Sequence, residues 1–91
     1  MHILKEHKIK YLSRRIDEII EIKQSLVLKD FNSAVFIGHK LKGNGVTFGF
    51  PIISQIGIEL EEAGKTKNLP RVADAINRLV EIIEKGLKDL I

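Results

Sequence analysis

Four stretches of this chain repeat their apolar residues at spacings of three and four, with short breaks between them. That period marks a helix with one buried face. The first stretch runs from about Lys8 to Leu28 and carries Ile9, Leu12, Ile16, Ile19, Ile20, Leu26 and Val27. Asp30 offers an N-cap for the second, from Phe31 to about Phe48. Its inner stripe is Ala34, Ile37, Leu41, Gly45 and Phe48, and Gly49 stops it. Pro51 suits the first turn of a third helix, where its missing N–H costs nothing. Ile53, Ile56, Leu60 and Ala63 form the inner face there, and Gly64 is the expected stop. Lys65 to Asn68 reads as a polar loop. Asn68 caps the last helix, whose stripe is Val72, Ile76, Leu79, Ile83, Leu87 and Leu90.

Every connection is short, so consecutive helices are expected to be antiparallel neighbours. The expected fold is all-α, an antiparallel up-down four-helix bundle. It forms one domain over 1–91, with a lead over 1–7 and the bundle over about 8–90. A chain of 91 residues supports one core, and 44% apolar residues place it with globular proteins. The absence of cysteine excludes a disulfide scaffold, a thiolate zinc site and a cysteine nucleophile together. No apolar run approaches the ~20 residues of a membrane helix, and the first residues hold no signal-peptide core. A cytoplasmic protein is the default expectation.

The formal charge of +3 comes mostly from Lys5, Lys8, Lys10, Arg14 and Arg15 near the N-terminus, with Glu6 alone against them. This segment reads as a solvated, partly frayed helix start. A nucleic-acid partner is not expected, because aromatics and a groove-reading motif are missing.

The chemistry lies in Gly38-His39-Lys40-Leu41-Lys42-Gly43-Asn44-Gly45-Val46-Thr47-Phe48-Gly49. At 100° per residue, His39 sits about 160° from Leu41, so it points out of the core. Val35, Phe36 and Val46 lie on that outer side too. Apolar side chains exposed around a lone polar one suggest a docking patch. The residue at i+4 leans over residue i on a helix, and Gly43 stands there relative to His39. A glycine inside a helix costs ~1 kcal/mol against alanine. Close helix packing accounts for Gly38 and Gly45, which face inward. For the outward Gly43, room for an incoming group is the better account. Lys42, at i+3, puts an ammonium on the next turn, where it would attract a phosphoryl group, although taken singly it reads as a solubilising lysine, as does Lys40. His2 and His7 lack a patterned neighbourhood and read as surface residues. No metal site is expected, because paired ligands at i, i+4 are missing.

His-x-Leu-Lys-Gly with a glycine ten residues after the histidine resembles the signature of histidine phosphotransfer (HPt) domains. The matching residues are His39, Leu41, Lys42, Gly43 and Gly49. The resemblance extends to Tyr11-Leu12-Ser13-Arg14-Arg15, Lys29-Asp30-Phe31, Gly49-Phe50-Pro51 and Ile56-Gly57…Leu60-Glu61-Glu62-Ala63, so it covers about 11–88. It implies a phosphorelay carrier that accepts and donates a phosphoryl group between His39 and a receiver-domain aspartate. The ring would attack through a neutral Nε2, with its proton on Nδ1. By spacing, Glu61 corresponds to the glutamate that holds that proton in some members. Lys42 and Gly43 would assist at the acceptor. Asn32, Val35, Phe36, Lys40 and Val46 would meet the partner. Lys40 departs from the family, where a small or polar residue is common, and is expected to tune partner choice.

The resemblance also implies a carrier rather than an enzyme, without a cofactor or metal of its own. Its partners would be a response-regulator receiver and a histidine kinase. A monomer is expected, and the span from Met1 to Ile91 suggests a free-standing carrier. The main alternative is a degenerate module of the same fold that docks a partner without being phosphorylated. The dimerisation helices of a histidine kinase are a weaker match, since an acidic residue usually follows their acceptor histidine and Lys40 follows here.

Overall fold

A computed structural model describes residues 3–91. The expectation for His2 therefore lies outside the described residues. Four helices follow one another, α1 (Lys5–Val27), α2 (Asn32–Thr47), α3 (Pro51–Lys65) and α4 (Leu69–Leu90), with no strand among the described residues.

Three of the helices end in the same backbone motif. After α2, the Gly49 N–H donates to the Val46 carbonyl at 3.0 Å and the Phe50 N–H to the Gly45 carbonyl at 2.8 Å. Gly49 itself is left-handed at φ 87, and this pairing is a Schellman stop. After α1, Lys29 and Asp30 donate in the same pattern to Leu26 and Ser25, with Lys29 at φ 56. After α3, Lys67 and Asn68 donate to Gly64 and Ala63, with Lys67 at φ 52. Gly64 is thus not the stop expected from its residue type. The helix runs on through Lys65, and a lysine takes the left-handed position.

The starts differ as well. α1 begins at Lys5 rather than Lys8. Asp30 does not stand at the N-cap of α2, which is Phe31. It accepts the Asn32 N–H at 2.9 Å instead. Asn68 does cap α4, accepting the Arg71 N–H at 3.2 Å.

The core is built from Leu12, Ile19 and Ile22 of α1, Ala34, Ile37 and Leu41 of α2, Ile53, Ile56, Leu60 and Ala63 of α3, and Val72, Ile76, Leu79 and Ile83 of α4. Ile16, Ile20 and Val27 belong to the apolar period of α1 but stay exposed. Ile16 and Ile20 line an open groove between α1 and α4 with Val80 and Leu87. The basic start is not all solvated either. Arg15 is buried, its guanidinium carbon 4.2 Å from the centre of the Tyr11 ring. The Tyr11 ring in turn stacks on Phe48 at 4.5 Å.

Contacts between neighbouring helices run in opposite residue order. Along α1 and α2, Tyr11 meets Asn44, Glu18 meets Lys40 and Ser25 meets Ser33. Along α3 and α4, Glu59 meets Arg78 and Glu62 meets Arg71. The α2–α3 seam is the tightest. A Cβ added at Gly38 would stand 2.6 Å from the Glu61 nitrogen, one at Gly45 2.5 Å from the Ser54 nitrogen, and one at Gly57 2.5 Å from the Lys42 nitrogen. Only hydrogen at these positions lets the two backbones approach so closely. The Val46 N–H donates to Ser54 Oγ across the seam at 2.8 Å.

Candidate phosphoacceptor site

His39 stands at the edge of this seam. Gly38 and Leu41 face the core on the same helix, so the His39 ring is turned outward and its side chain is 65% exposed. Nδ1 lies 2.9 Å from Oε2 of Glu61, and the Glu61 side chain is only 11% exposed. The close pass of Gly38 over the Glu61 backbone brings the two side chains within reach. With Glu61 ionised, its oxygen accepts and Nδ1–H donates. The neutral tautomer then leaves the Nε2 lone pair outward.

Glu61 is also held by two ammoniums. Lys42 Nζ lies 3.4 Å from Oε1, and Lys65 Nζ lies 3.6 Å from Oε2. Burial acts to raise the pKa of this carboxyl. The hydrogen bond from His39 and the charges of Lys42 and Lys65 outweigh that, and hold it below the ordinary glutamate value of 4.5. Lys65 belongs to the last turn of α3 rather than to the expected loop. Its place at i+4 from Glu61 is the signal that marks it. Gly43 has nothing within 4 Å of where a Cβ would stand, so the space over the ring is open.

The outer side of α2 divides around His39. Phe36 is 65% exposed and Val46 62% exposed, and Asn32 is exposed as well. Val35 does not share that exposure. It is half-buried, with Cγ2 only 2.8 Å from where a Cβ on Gly64 would be, because the missing side chain at 64 lets α3 close over it. Lys40 leans toward α1, with Nζ 3.2 Å from Glu18 Oε2 and 5.1 Å from the centre of the Phe36 ring. Glu18 also meets Arg15 Nε at 2.6 Å, so one largely buried carboxylate ties both cations together. His7 is exposed on α1. No group of three or more His, Cys, Asp or Glu side chains is arranged for a metal ion among the described residues. No helix among them is long and apolar enough to cross a membrane.

Comparison with family models matches the Hpt domain over residues 11–89. The chain belongs to the Hpt domain family. Domains of this family are histidine phosphotransfer modules of phosphorelays. They carry phosphoryl groups rather than acting as enzymes, and they work with receiver domains and kinases. Comparison with curated proteins and with solved structures returns no match.

Proposed function

We propose that this protein carries a phosphoryl group on His39 Nε2 and exchanges it with the aspartate of a receiver domain. The observation that carries this is the pairing of an exposed ring with a nearly buried carboxylate at Nδ1, 2.9 Å away. In the accepting step, the Nε2 lone pair attacks phosphorus of the receiver's aspartyl phosphate. The bond from phosphorus to the carboxyl oxygen breaks, and its electron pair returns to the aspartate. The ring keeps its proton on Nδ1, where Glu61 balances the positive charge that develops. Donation is the reverse. The magnesium ion and the aspartate belong to the partner.

Lys42, one turn along from His39, supplies an ammonium to the phosphoryl oxygens, and Gly43 leaves the approach clear. Phe36 and Val46 give the partner an apolar contact, with Asn32 and Lys40 at the rim and Val35 contributing only its uncovered edge. The reversed contact orders support an antiparallel up-down bundle, in which α2 and α3 form one hairpin bearing the site. The carrier acts as a monomer.

Incubation with a phosphorylated receiver tests this. The expected result is acid-labile, base-stable phosphate on the wild type and none on a folded His39→Gln variant. A wild type that acquires no label from any receiver of its source would refute the proposal in favour of a docking module.

A further inference from the structure

The seam between α1 and α2 is less completely filled than the one between α2 and α3. It opens beside Tyr11 and Phe48 into a cavity of about 240 Å³, lined by Lys10, Arg14, Arg15 and Asn44 and by no carboxylate. That volume falls below the roughly 300–1,000 Å³ of pockets for drug-sized ligands, so it suits one side chain rather than a cofactor. Lys10 and Arg14 are exposed and make no ion pair among the described residues. Arg15 is 6% exposed, and its Nη1 has no hydrogen-bond partner among them. Glu18 lies 2.6 Å from Arg15 Nε but also answers Lys40 at 3.2 Å, so one carboxylate faces two cations. Asn44 accepts the Tyr11 phenol on its oxygen, which leaves its amide N–H groups as donors. A buried guanidinium with an unpaired nitrogen is costly and calls for an anion nearby. Tyr11 stacks on Phe48 at 4.5 Å, so the same cavity offers aromatic surface to an aliphatic stem.

The occupant follows from where the cavity leads. A second hollow shares Arg14, Arg15 and Asn44 with it and reaches Lys40. Lys40 is next to His39, and its Nζ is 5.1 Å from the centre of the exposed Phe36 ring. A protein seated over His39 and Phe36 therefore overhangs the cleft. Asp17 and Glu18 border the second hollow, so an anion is favoured at the Lys10–Arg14 end. We propose that the α1–α2 cleft is a subsite for an acidic side chain: it takes a glutamate or aspartate carboxylate of the protein that docks over His39. Lys10, Arg14 and the Asn44 amide are its donors, and Arg15 is the fixed charge behind them. That the docked protein is a receiver rests on the function proposed for His39.

The test is the affinity of an unphosphorylated receiver from the same source for the full chain, read by fluorescence anisotropy at low salt. In Lys10→Gln/Arg14→Gln, Kd is expected to rise about fivefold, the effect of two exposed ionic contacts. Lys23→Gln/Lys85→Gln removes the same charge outside the cleft and should leave Kd unchanged. Neutralising the receiver's carboxylates one at a time should find one whose loss weakens binding to the wild type and costs nothing further in the cleft variant. Labelling of His39 by phosphoramidate, a small phosphoryl donor with no side chain to seat, should be equal in wild type and cleft variant.

An unchanged Kd in the cleft variant would overturn the proposal, as would an equal loss in Lys23→Gln/Lys85→Gln or the lack of any coupled carboxylate. A wild type that binds no receiver of its source would overturn it too. Salt-sensitive binding of a duplex or single-stranded oligonucleotide that the cleft variant loses would overturn it in favour of a nucleic-acid site. If the receiver binds through the cleft as expected but passes no phosphoryl group to His39, the subsite stands. The failure then belongs to the phosphoacceptor role.

Discussion

Gly38 and Glu61 are locked together: a Cβ on the first would stand 2.6 Å from the backbone nitrogen of the second. The contact is backbone against backbone site, so no side chain can swing away to relieve it. Gly38→Ala is therefore expected to push α3 off α2 and destabilise the fold by about 1–3 kcal/mol, the usual cost of overpacking. It should also loosen the 2.9 Å hydrogen bond between His39 and Glu61. Urea denaturation measures the first effect and the Nδ1 proton signal of the ring the second. Unchanged stability would show that the seam is more yielding than its geometry indicates.

Gly43 provides the opposite case on the same helix. Nothing stands within 4 Å of a Cβ at that position. Gly43→Ala is expected to stabilise the protein by about 1 kcal/mol through helix propensity alone. Gly43→Leu should keep the fold and slow phosphotransfer from a receiver by covering the ring. Equal transfer rates in the leucine variant would remove the case for Gly43 as an access residue.

Acid should weaken the seam through Glu61. The carboxyl titrates below its ordinary 4.5 in the folded protein, so its ionised form is favoured by folding. That contribution is fully present above 4.5 and is lost as the pH falls below it through the folded-state value. The stability difference between wild type and Glu61→Gln should therefore decline as the pH is lowered below 4.5. Denaturant midpoints collected between about pH 6 and about pH 3, which bracket the ordinary carboxylate range, would reveal it, and parallel curves would contradict the charge arrangement around Glu61.

Tyr11 ties α1 to α2 by donating its phenol to Asn44 Oδ1 at 2.6 Å. Burial raises the phenol above its ordinary 10.0, with the nearby Arg15 acting against that. Because it is the single tyrosine, its absorbance titration is unambiguous and should have a midpoint above 10.0. Tyr11→Phe keeps the stack on Phe48 and loses the hydrogen bond, for an expected cost of about 1 kcal/mol. A midpoint at or below 10.0 would mean that the phenol is solvated.

The number of helices, most of their inner faces and the outward turn of His39 follow from periodicity, because burial imposes a repeat that residue type alone reveals. The errors have local causes. Gly64 looked like a stop because glycine is the commonest left-handed residue, yet it is needed where α3 closes over Val35, and Lys67 bears the unfavourable φ instead. Ile16 and Ile20 fit the apolar period of α1, but this short bundle leaves the α1–α4 groove open. Arg15 looked solvated because charge alone does not disclose a stacking partner four residues back. The proximity of His39 and Glu61 needed the family resemblance, since the depth of a helix crossing is set by pairs of glycines on two helices. Lys65 follows a glycine and precedes a polar run, so residue type alone does not reveal that α3 continues through it.

The close pass of α2 over α3 has one more consequence. Every side chain gathered on Glu61 comes from a stretch of chain joined by a single tight connection, with His39 and Glu61 only 22 residues apart. Fraying at the far turns of the outer helices, whether thermal or imposed by an attached segment, leaves that hairpin's own clasp in place. The contacts that hold Glu61 are thus closed within one hairpin and do not run through either end of the described chain.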